Sequence, residues 1–396
     1  MIWGAPGGAP HLARNSILSK YTPTYIFNLY LDTLTGPCFF VILMMAGEQA
    51  PARASLLPCP GILTMRTSFL TKRETRAFML DHILVPLDGS RLAETVLPHA
   101  AAMAQAFGSR ITLLRAVSRS EQVPGSRSVD PLSWQILKAE SRAYLDEILA
   151  RIQDVGVEAD RVLVEGSAAE QIVEFARAEG VDLIILSSHG RSGLSEWNIS
   201  SVVQKVIFRA FVPVLIVRAY KGVSDDLAGL RYRRVLLPLD GSPRAEYVLP
   251  LATTLANAHG SSLLLAHVVH RPEVPRAIPL SEEEMSLVEQ LTALNRERGA
   301  AYLRNLEPRL GMQLETRLLV SHNPAMALHE LVEREEIDLV MLSAHGYSGS
   351  TKWTFGSVAL NFAVYGTTPL LVVQDISEEE AEPTEAQKAA RETKGH

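Results

Sequence analysis

From residue 80 to residue 376, short apolar runs alternate with longer stretches in which apolar residues recur at helical spacing. Nearly unbroken runs such as Leu183–Leu186 are typical of strands that are covered on both faces of a parallel sheet. Their alternation with amphipathic helices predicts repeated βαβ units and an α/β fold. In the first half, the predicted strands are residues 82–88, 110–117, 158–165, 181–187 and 212–218, and the predicted helices are about 91–107, 132–155, 168–179 and 200–210.

The chain contains an internal repeat. His82–Ser90 returns 152 residues later as Arg234–Ser242, and Val181–Ser187 returns as Ile337–Ser343. A repeated supersecondary pattern indicates a duplicated unit, here of roughly 140 residues. The sequence therefore predicts two domains, residues 79–220 and 232–376, joined by a linker of residues 221–231. The strands predicted for the second copy are residues 233–240, 262–269, 313–320, 337–343 and 368–374.

Two terminal segments fall outside the repeat. Residues 1–78 show no sustained period, and their apolar run Cys38–Ala46 is shorter than the roughly 20 residues that a membrane-spanning helix needs. We expect a disordered extension or an over-extended gene start with the biological initiator at Met65 or Met79, and a targeting segment is the alternative. The acidic tail, residues 377–396, has no apolar face and is expected to be disordered or a frayed helix.

Composition and charge narrow the functional classes. The chain has 396 residues, 47% of them hydrophobic, and a net charge of -6, which argues against a dedicated nucleic-acid binder with a basic face. Both cysteines, Cys38 and Cys59, precede the repeat, so no disulfide framework or cysteine metal site is expected after residue 59. A cytoplasmic protein, with no membrane partner, fits this composition.

An aspartate ends the first predicted strand of each copy. Asp88 and Asp240 are each followed by Gly-Ser and a predicted helix. A carboxylate at the carboxyl end of such a strand can accept hydrogen bonds from a ribose or an adenine amino group. The alternative is structural, because Asp-Gly-Ser is also good turn and helix-capping chemistry.

A second motif follows the fourth predicted strand of each copy. In the second copy, Ser343-Ala344-His345-Gly346 is followed ten residues later by Gly356-Ser357 and a helix start, and the first copy carries a worn version with Ser200 and Ser201. Glycines let a backbone approach a phosphate, and the free N–H groups of a helix start attract anions. This spacing predicts a phosphate-binding site.

The loop histidines, His189 and His345, have no visible nucleophile or second metal ligand nearby in the sequence. We therefore expect them to position the loop or to donate hydrogen bonds, and we predict no catalytic residue and no metal site. Two longer polar loops, residues 118–130 and 270–280, are candidate lids or ordinary surface loops.

Both copies resemble domains of the universal stress protein family, over residues 80 to about 375. The family pattern opens on a strand ending in Pro-x-Asp-x-Ser and closes on Gly-x-x-Gly, nine residues, and then Gly-Ser or Gly-Thr. The resemblance implies two tandem Rossmann-like, doubly wound domains, each a five-stranded parallel sheet of order 3-2-1-4-5 flanked by helices. It also implies ATP, with or without Mg²⁺, or a related adenine nucleotide between strands 1 and 4, which is the topological switch point.

The resemblance also supplies candidate binding residues. It places Asp240 and Val268 at the adenosine half and the Gly/Ser motif at the phosphates. We predict that the second copy is the better site, because Ser200 replaces a glycine and adds a Cβ where the phosphate should approach. The candidate residues are Asp240, Val268, Ser343, His345, Gly346, Gly356, Ser357 and Val358 in the second copy, and Asp88, Ala116, Ser187, His189, Gly190, Ser200, Ser201 and Val202 in the first.

The leading functional hypothesis is a stress-response protein that binds ATP and acts as a nucleotide-dependent sensor or regulator, not as an enzyme. The alternatives are a nucleotide-independent scaffold with decayed clefts and a slow ATP hydrolase. The chain lacks a Gly-x-x-x-x-Gly-Lys-Ser/Thr loop and a Gly-x-Gly-x-x-Gly fingerprint, which argues against P-loop and dinucleotide chemistry. The resemblance implies that the fifth strands pair in an internal pseudo-dimer, and a homodimer of whole chains and the protein partner stay open.

Overall fold

The computed structural model describes residues 80–118, 131–191, 193, 199–221, 226–271, 281–347 and 354–376. These residues belong to one of the two units into which the chain divides, Thr71–His396. The terminal segments 1–78 and 377–396 lie outside the described residues, as do most of the two candidate lids.

Each copy contains five strands and four α-helices in the same order. The first copy comprises β1 (His82–Pro86), α1 (Leu97–Phe107), β2 (Arg110–Val117), α2 (Pro131–Asp154), β3 (Ala159–Glu165), α3 (Ala168–Ala178), β4 (Leu183–Ser187), α4 (Ser201–Ile207) and β5 (Val214–Val217). The second copy comprises β6 (Arg234–Pro238), α5 (Leu249–His259), β7 (Ser262–His270), α6 (Glu282–Leu310), β8 (Glu315–Ser321), α7 (Pro324–Arg334), β9 (Leu339–Ser343), α8 (Ser357–Tyr365) and β10 (Leu370–Val373).

All ten described strands form one sheet, in the order β3-β2-β1-β4-β5-β10-β9-β6-β7-β8. Within each copy the pairing is parallel and follows the predicted order 3-2-1-4-5. The copies meet where β10 pairs with β5 in the antiparallel direction, with Leu370 opposite Ile216. The α/β fold, the parallel sheets and the pairing of the fifth strands are thus confirmed.

The sheet is buried on both faces, as the unbroken apolar runs predict. Alternate residues of one strand, such as Ile185 and Ile184, enter two separate hydrophobic cores on opposite sides. Helices α1, α2, α5 and α6 contribute to the first core, and α3, α4, α7 and α8 contribute to the second. In open sheets of this kind, ligands bind at the carboxyl ends of the strands.

One predicted helix differs from the structure. Residues 91–107 do not form a single α-helix, because a 3-10 turn, Ala93–Val96, precedes α1. Pro98 lies in the first turn of α1, where its missing N–H and fixed φ are tolerated, so the α-helix begins there. The second copy repeats this arrangement, with Pro250 in the first turn of α5.

None of the described helices combines the length and the apolar character needed to cross a bilayer.

Candidate functional site

The candidate site of the second copy lies between β6 and β9. Strand β6 pairs with β7 on one side and with β9 on the other, so the chain leaves these strands in opposite directions along the sheet. Asp240 follows β6, and the loop from Ser343 to Tyr347 follows β9. The sheet therefore brings the two sequence motifs together at the topological switch point.

The carboxylate of Asp240 ties the two motifs to each other. Its Oδ1 accepts hydrogen bonds from the backbone N of Ser242 at 2.9 Å and from the Oγ of Ser242 at 2.6 Å. Its Oδ2 accepts from the backbone N of Tyr347 at 2.6 Å. The residue nevertheless remains exposed. Since each carboxylate oxygen can accept more than one hydrogen bond, Asp240 retains capacity for a ligand.

The glycine that follows the loop histidine is required by this contact. A Cβ on Gly346 would lie 2.0 Å from Oδ2 of Asp240, which is far inside contact distance. The first copy repeats the geometry, because a Cβ on Gly190 would lie 2.1 Å from Oδ2 of Asp88. Asp88 likewise accepts hydrogen bonds from the backbone N of Ser90 at 2.9 Å and of Arg191 at 2.5 Å. Both copies therefore retain this part of the site.

In the second copy, α8 begins without a side-chain cap. Gly356 is its N-cap residue, in extended conformation, and no side chain of the described residues caps the first turn. The backbone N of Gly356 donates to the carbonyl oxygen of Ala344 at 2.7 Å, which fixes the helix start against the loop. Ser357 is exposed and Val358 partly exposed. The first-turn N–H groups of α8 lie at the positive end of its helix dipole, where an anion is favoured.

In the first copy, α4 begins with a side-chain cap. The backbone N of Ser200 donates to Ser188 O at 2.8 Å, as in the second copy, but the Oγ of Ser200 also accepts from the backbone N of Val203 at 3.3 Å. One of the amide donors that an anion would use is therefore already bonded. The structure assigns Ser200 a capping role, which is a different reason for a weaker site from the steric one expected from the sequence.

The remaining predicted residues lie around these features. Val268 and Ala116 are partly exposed near the ends of β7 and β2, next to the first strand of each copy. Ser201 and Val202 form the first turn of α4, as Ser357 and Val358 do for α8. No group of three or more His, Cys, Asp or Glu side chains in the described ranges could hold a metal ion.

Comparison with known proteins identifies the family of the chain. The universal stress protein family model matches residues 79–218 and 231–374. The chain belongs to the universal stress protein family. A universal stress protein of Methanocaldococcus jannaschii is 32% identical over 155 residues, which cover 35% of this chain and 96% of that protein. A member from Mycolicibacterium smegmatis is 26% identical over 302 residues, which cover 74% of this chain and 96% of that protein.

A solved structure supports the fold of the whole repeat. The crystal structure of a universal stress protein from Archaeoglobus fulgidus matches 74% of this chain and 98% of its own, with a TM-score of 0.52 and 18% identity. The two family matches in one chain establish a tandem universal stress protein.

Ser187 and Ser343 occupy matching positions in the two universal stress protein domains but differ in their hydrogen bonds. The Oγ of Ser187 donates to the carbonyl oxygen of Leu92 at 2.8 Å and lies 3.3 Å from the Oγ of Thr95. The Oγ of Ser343 is buried and has no hydrogen-bond partner among the described residues. Because leaving a buried hydroxyl without a partner costs free energy, this atom is a further candidate for contact with water or a ligand.

The loop histidine of the second domain is part of a buried charged network. The Nδ1 of His345 lies 2.7 Å from Oδ1 of Asp375, and the Nε of Arg244 donates to Oδ2 of Asp375 at 2.6 Å. Burial alone would raise the pKa of Asp375, but the hydrogen bond from His345 and the charge of Arg244 outweigh it and hold the pKa below its ordinary value.

The side chain of His345 is 0% exposed, so only its backbone is placed to contact a nucleotide. In the first domain the Nδ1 of His189 instead lies 3.1 Å from the Oγ of Ser188. Sequence reasoning expected positioning histidines but missed Arg244 and Asp375. A charged residue two positions after β10 was the one available signal.

A second network, missed from the sequence, is common to both domains. Arg151 pairs with the buried Glu94 at 3.2 Å, and Arg309 pairs with Glu246 at 2.6 Å. Burial, followed by the nearby Glu94, raises the pKa of the Tyr144 hydroxyl. These contacts fasten the 3-10 turn after the aspartate motif to the second helix of the domain. The recurrence of Glu94 as Glu246 at the offset of 152 residues was a usable signal.

Proposed function

We propose that this universal stress protein binds ATP in the cleft of its second domain and acts as a nucleotide-dependent sensor or regulator of the stress response. The observation that carries the proposal is the uncapped start of α8 at Gly356, which lies at the switch point together with the exposed Asp240. Backbone donors at a helix start suit phosphate, and a carboxylate beside them suits the hydroxyl groups of a ribose.

Separate groups of the described residues suit the phosphates and the adenosine of an adenine nucleotide. Gly356, Ser357 and Val358 would hold the phosphates through backbone N–H groups and one hydroxyl. Asp240 would hold the adenosine half, with Val268 as an apolar neighbour. Because the described ranges contain no cluster of metal-binding side chains, Mg²⁺ would arrive bound to the phosphates of the nucleotide.

The first domain would bind the same nucleotide more weakly. Its Asp88 and Gly190 repeat the contact seen in the second domain, but Ser200 occupies an amide of α4 with its own side chain. A phosphate would have to displace that hydroxyl. The hydrogen bond of an N-cap contributes about 1 kcal/mol, so the expected difference between the sites from this cause is about fivefold in affinity.

The proposal excludes strong catalysis. The carboxylate of Asp240 is assigned to the ribose in this proposal, and the side chain of His345 is buried and paired with Asp375. Neither group is placed as a general base. A slow ATP hydrolase and a nucleotide-independent scaffold remain the competing functions. We place the protein in the cytoplasm, in keeping with its cysteine usage.

Equilibrium titration of ATP into the purified chain tests the proposal. Two variants, each of which carries the residue of the other domain, serve as controls for each other. Gly356 and Ser200 have the same extended conformation, so neither substitution requires a different backbone. Gly356→Ser should weaken binding to the second domain about fivefold. Ser200→Gly should strengthen binding to the first domain by a similar factor and raise the measured stoichiometry.

The competing functions give different results in the same experiment. No binding at millimolar ATP would overturn the proposal in favour of the scaffold. Binding that responds to Ser200→Gly but not to Gly356→Ser would move the site to the first domain. Phosphate release that is clearly faster in the native chain than in an Asp240→Ala variant would favour the hydrolase.

A further inference from the structure

The boundary between the two domains contains a buried arginine. Strands β5 and β10 pair at this boundary, and Arg218 is the residue that follows β5. Its side chain crosses from the first domain into the second, and the residue is 1% exposed. Arg218 is therefore part of the first domain in sequence, but its side chain packs within the second domain.

The guanidinium of Arg218 bonds to the carboxyl end of α8. Nη2 donates to the carbonyl oxygen of Phe362 at 2.7 Å, Nη1 donates to that of Ala363 at 3.0 Å, and Nε donates to that of Thr368 at 3.3 Å. The first two carbonyl groups belong to the last turn of α8, and that of Phe362 also accepts from the backbone N of Gly366 at 2.9 Å. Arg218 thus supplies the C-terminal cap of this helix from the other domain.

Helix-end electrostatics explain how a buried cation is tolerated. No carboxylate of the described residues lies within ion-pair distance of Arg218, and burial lowers its pKa to about 10. The negative end of the α8 dipole and three carbonyl oxygens compensate for the lost hydration. Gly366 leaves room for the contact, because a Cβ there would lie 3.0 Å from Nη2 of Arg218 and 2.5 Å from Phe362 O.

The arrangement is not repeated in the opposite direction. The position that matches Arg218 in the second domain is Gln374, whose Nε2 donates to the carbonyl oxygen of Thr354 at 3.3 Å. The Oγ1 of Thr354 in turn donates to the carbonyl oxygen of Phe208 at the end of α4. Among the described residues, α8 therefore receives a cationic contact across the boundary that α4 does not.

We infer that Arg218 of the first domain is a positioning residue for the nucleotide site of the second domain, because it fixes the carboxyl end of the helix whose amino end would bind the phosphates. The inference rests on the proposed function. Helix α8 has nine residues and is about 14 Å long, so its last turn lies within three turns of its first. Loosening its last turn would change the position of Gly356 relative to Asp240.

Substitution of Arg218 by the residue of the other domain tests the inference. Arg218→Gln should weaken ATP binding by a factor on the order of 2 to 30, the range found for coupled but remote residues. Arg218→Lys retains the charge without the fork of donors and should restore part of the affinity. Both are measured by equilibrium titration well below the melting temperature, with hydrogen exchange of the α8 amide groups recorded on the same samples.

The matched control is Tyr232→Phe. This variant removes the 2.7 Å hydrogen bond between the Tyr232 hydroxyl and His99, which joins the domains away from α8. It should lower the melting temperature while leaving ATP affinity and α8 exchange at native values. Arg218→Gln should accelerate exchange in α8 and leave exchange in α4 unchanged.

The outcomes separate the two proposals. If the native chain binds no ATP at millimolar concentration, the proposed function fails and the positioning role fails with it. If the native chain binds ATP and Arg218→Gln binds with unchanged affinity, only the positioning role is overturned. Equal losses of affinity in Arg218→Gln and Tyr232→Phe would assign Arg218 a general stabilising role. If Arg218→Gln does not fold, native affinity in Arg218→Lys with faster α8 exchange overturns the role, and weakened affinity supports it.

Discussion

At the start of the helix after the fourth strand, the first domain carries Ser200 and the second carries Gly356. The backbones agree closely, with φ of -72° at both residues and ψ of 161° and 172°. The difference lies in what bonds to the first turn among the described residues, which is a serine hydroxyl in one domain and no side chain in the other. A duplicated fold can therefore keep its backbone geometry while, in one copy, a side chain forms a hydrogen bond with a helix-start amide that is a candidate ligand donor.

The loops before these helices also differ, in the residues that hold the loop histidine. In the second domain Asp375 pairs with both His345 and Arg244, whereas in the first domain the Nδ1 of His189 lies 3.1 Å from the Oγ of Ser188. The positions that match Arg244 and Asp375 are Leu92 and Ala219. Charge is thus concentrated behind the loop that also has the uncapped helix.

The largest expected effect comes from removing the centre of this network. Asp375→Ala should lower the free energy of unfolding by about 3 kcal/mol, because it leaves the buried His345 and the partly exposed Arg244 without their shared acceptor. Urea unfolding at neutral pH measures the loss. Because the pKa of Asp375 is held below its ordinary value of 3.8, its contribution is present above that pH and is lost as the pH falls through the folded pKa.

The matched variant in the first domain is Ser188→Ala. It removes the hydroxyl next to His189, which also accepts from the backbone N of Ala219 at 3.1 Å, and should cost about 1 kcal/mol. Equal losses in the two variants would mean that the charged network adds no stability beyond a neutral hydrogen bond.

A smaller effect is expected where the two domains are alike. Gly346→Ala and Gly190→Ala should each cost about 1 to 3 kcal/mol, because each Cβ meets the carboxylate of the domain's aspartate. Chemical unfolding of the two variants should give losses that agree within about 0.5 kcal/mol. Combining Gly346→Ala with Asp240→Ala should recover part of the loss, and a fully additive double variant would contradict the steric explanation.

The strands of the sheet could be predicted from the sequence because a strand that is buried on both faces is a continuous apolar run. The runs Ile83–Val85 and Leu183–Leu186 are apolar throughout, and both form strands at the expected places. The predicted helix 91–107 was wrong in its first part because the effect of Pro98 on where the helix begins was not weighed.

The site was predictable only where it depends on the backbone. Gly346 and Asp240 were found from spacing, but their mutual contact was not, because it requires the pairing of β6 with β9. Arg218 and Asp375 gave no local signal of their roles, since both act across elements that are distant in sequence. The capping role of Ser200 was accessible from its position before a helix, but it was interpreted only as a steric change.

The smallest expected effect concerns the amino ends of β1 and β6, which lie at the other end of these strands from the candidate site. In the first domain Nη2 of Arg110 donates to Nδ1 of His82 at 2.9 Å, and the His82 Nε2 lies 2.9 Å from the Oγ1 of Thr112. The matching residue of the second domain is Arg234, which pairs with Glu335 at 2.9 Å. Because a guanidinium can only donate, His82 is neutral in this arrangement.

Acidification should therefore weaken the first domain before the second. Burial, followed by the charge of Arg110, lowers the pKa of His82, although Asp160 and Asp182 partly oppose the shift. The unfolded chain then binds more protons than the folded one, so stability is full above pH 6.5 and falls as the pH drops from 6.5 towards the folded pKa. Hydrogen exchange at pH 7.5 and 5.5, corrected for intrinsic rates, should show loosening of β1 and β2 but not of β6 and β7. His82→Gln should remove this difference. Equal loosening in both domains would instead assign the pH response to a shared element, such as His259 at the domain boundary, whose pKa is also lowered by burial.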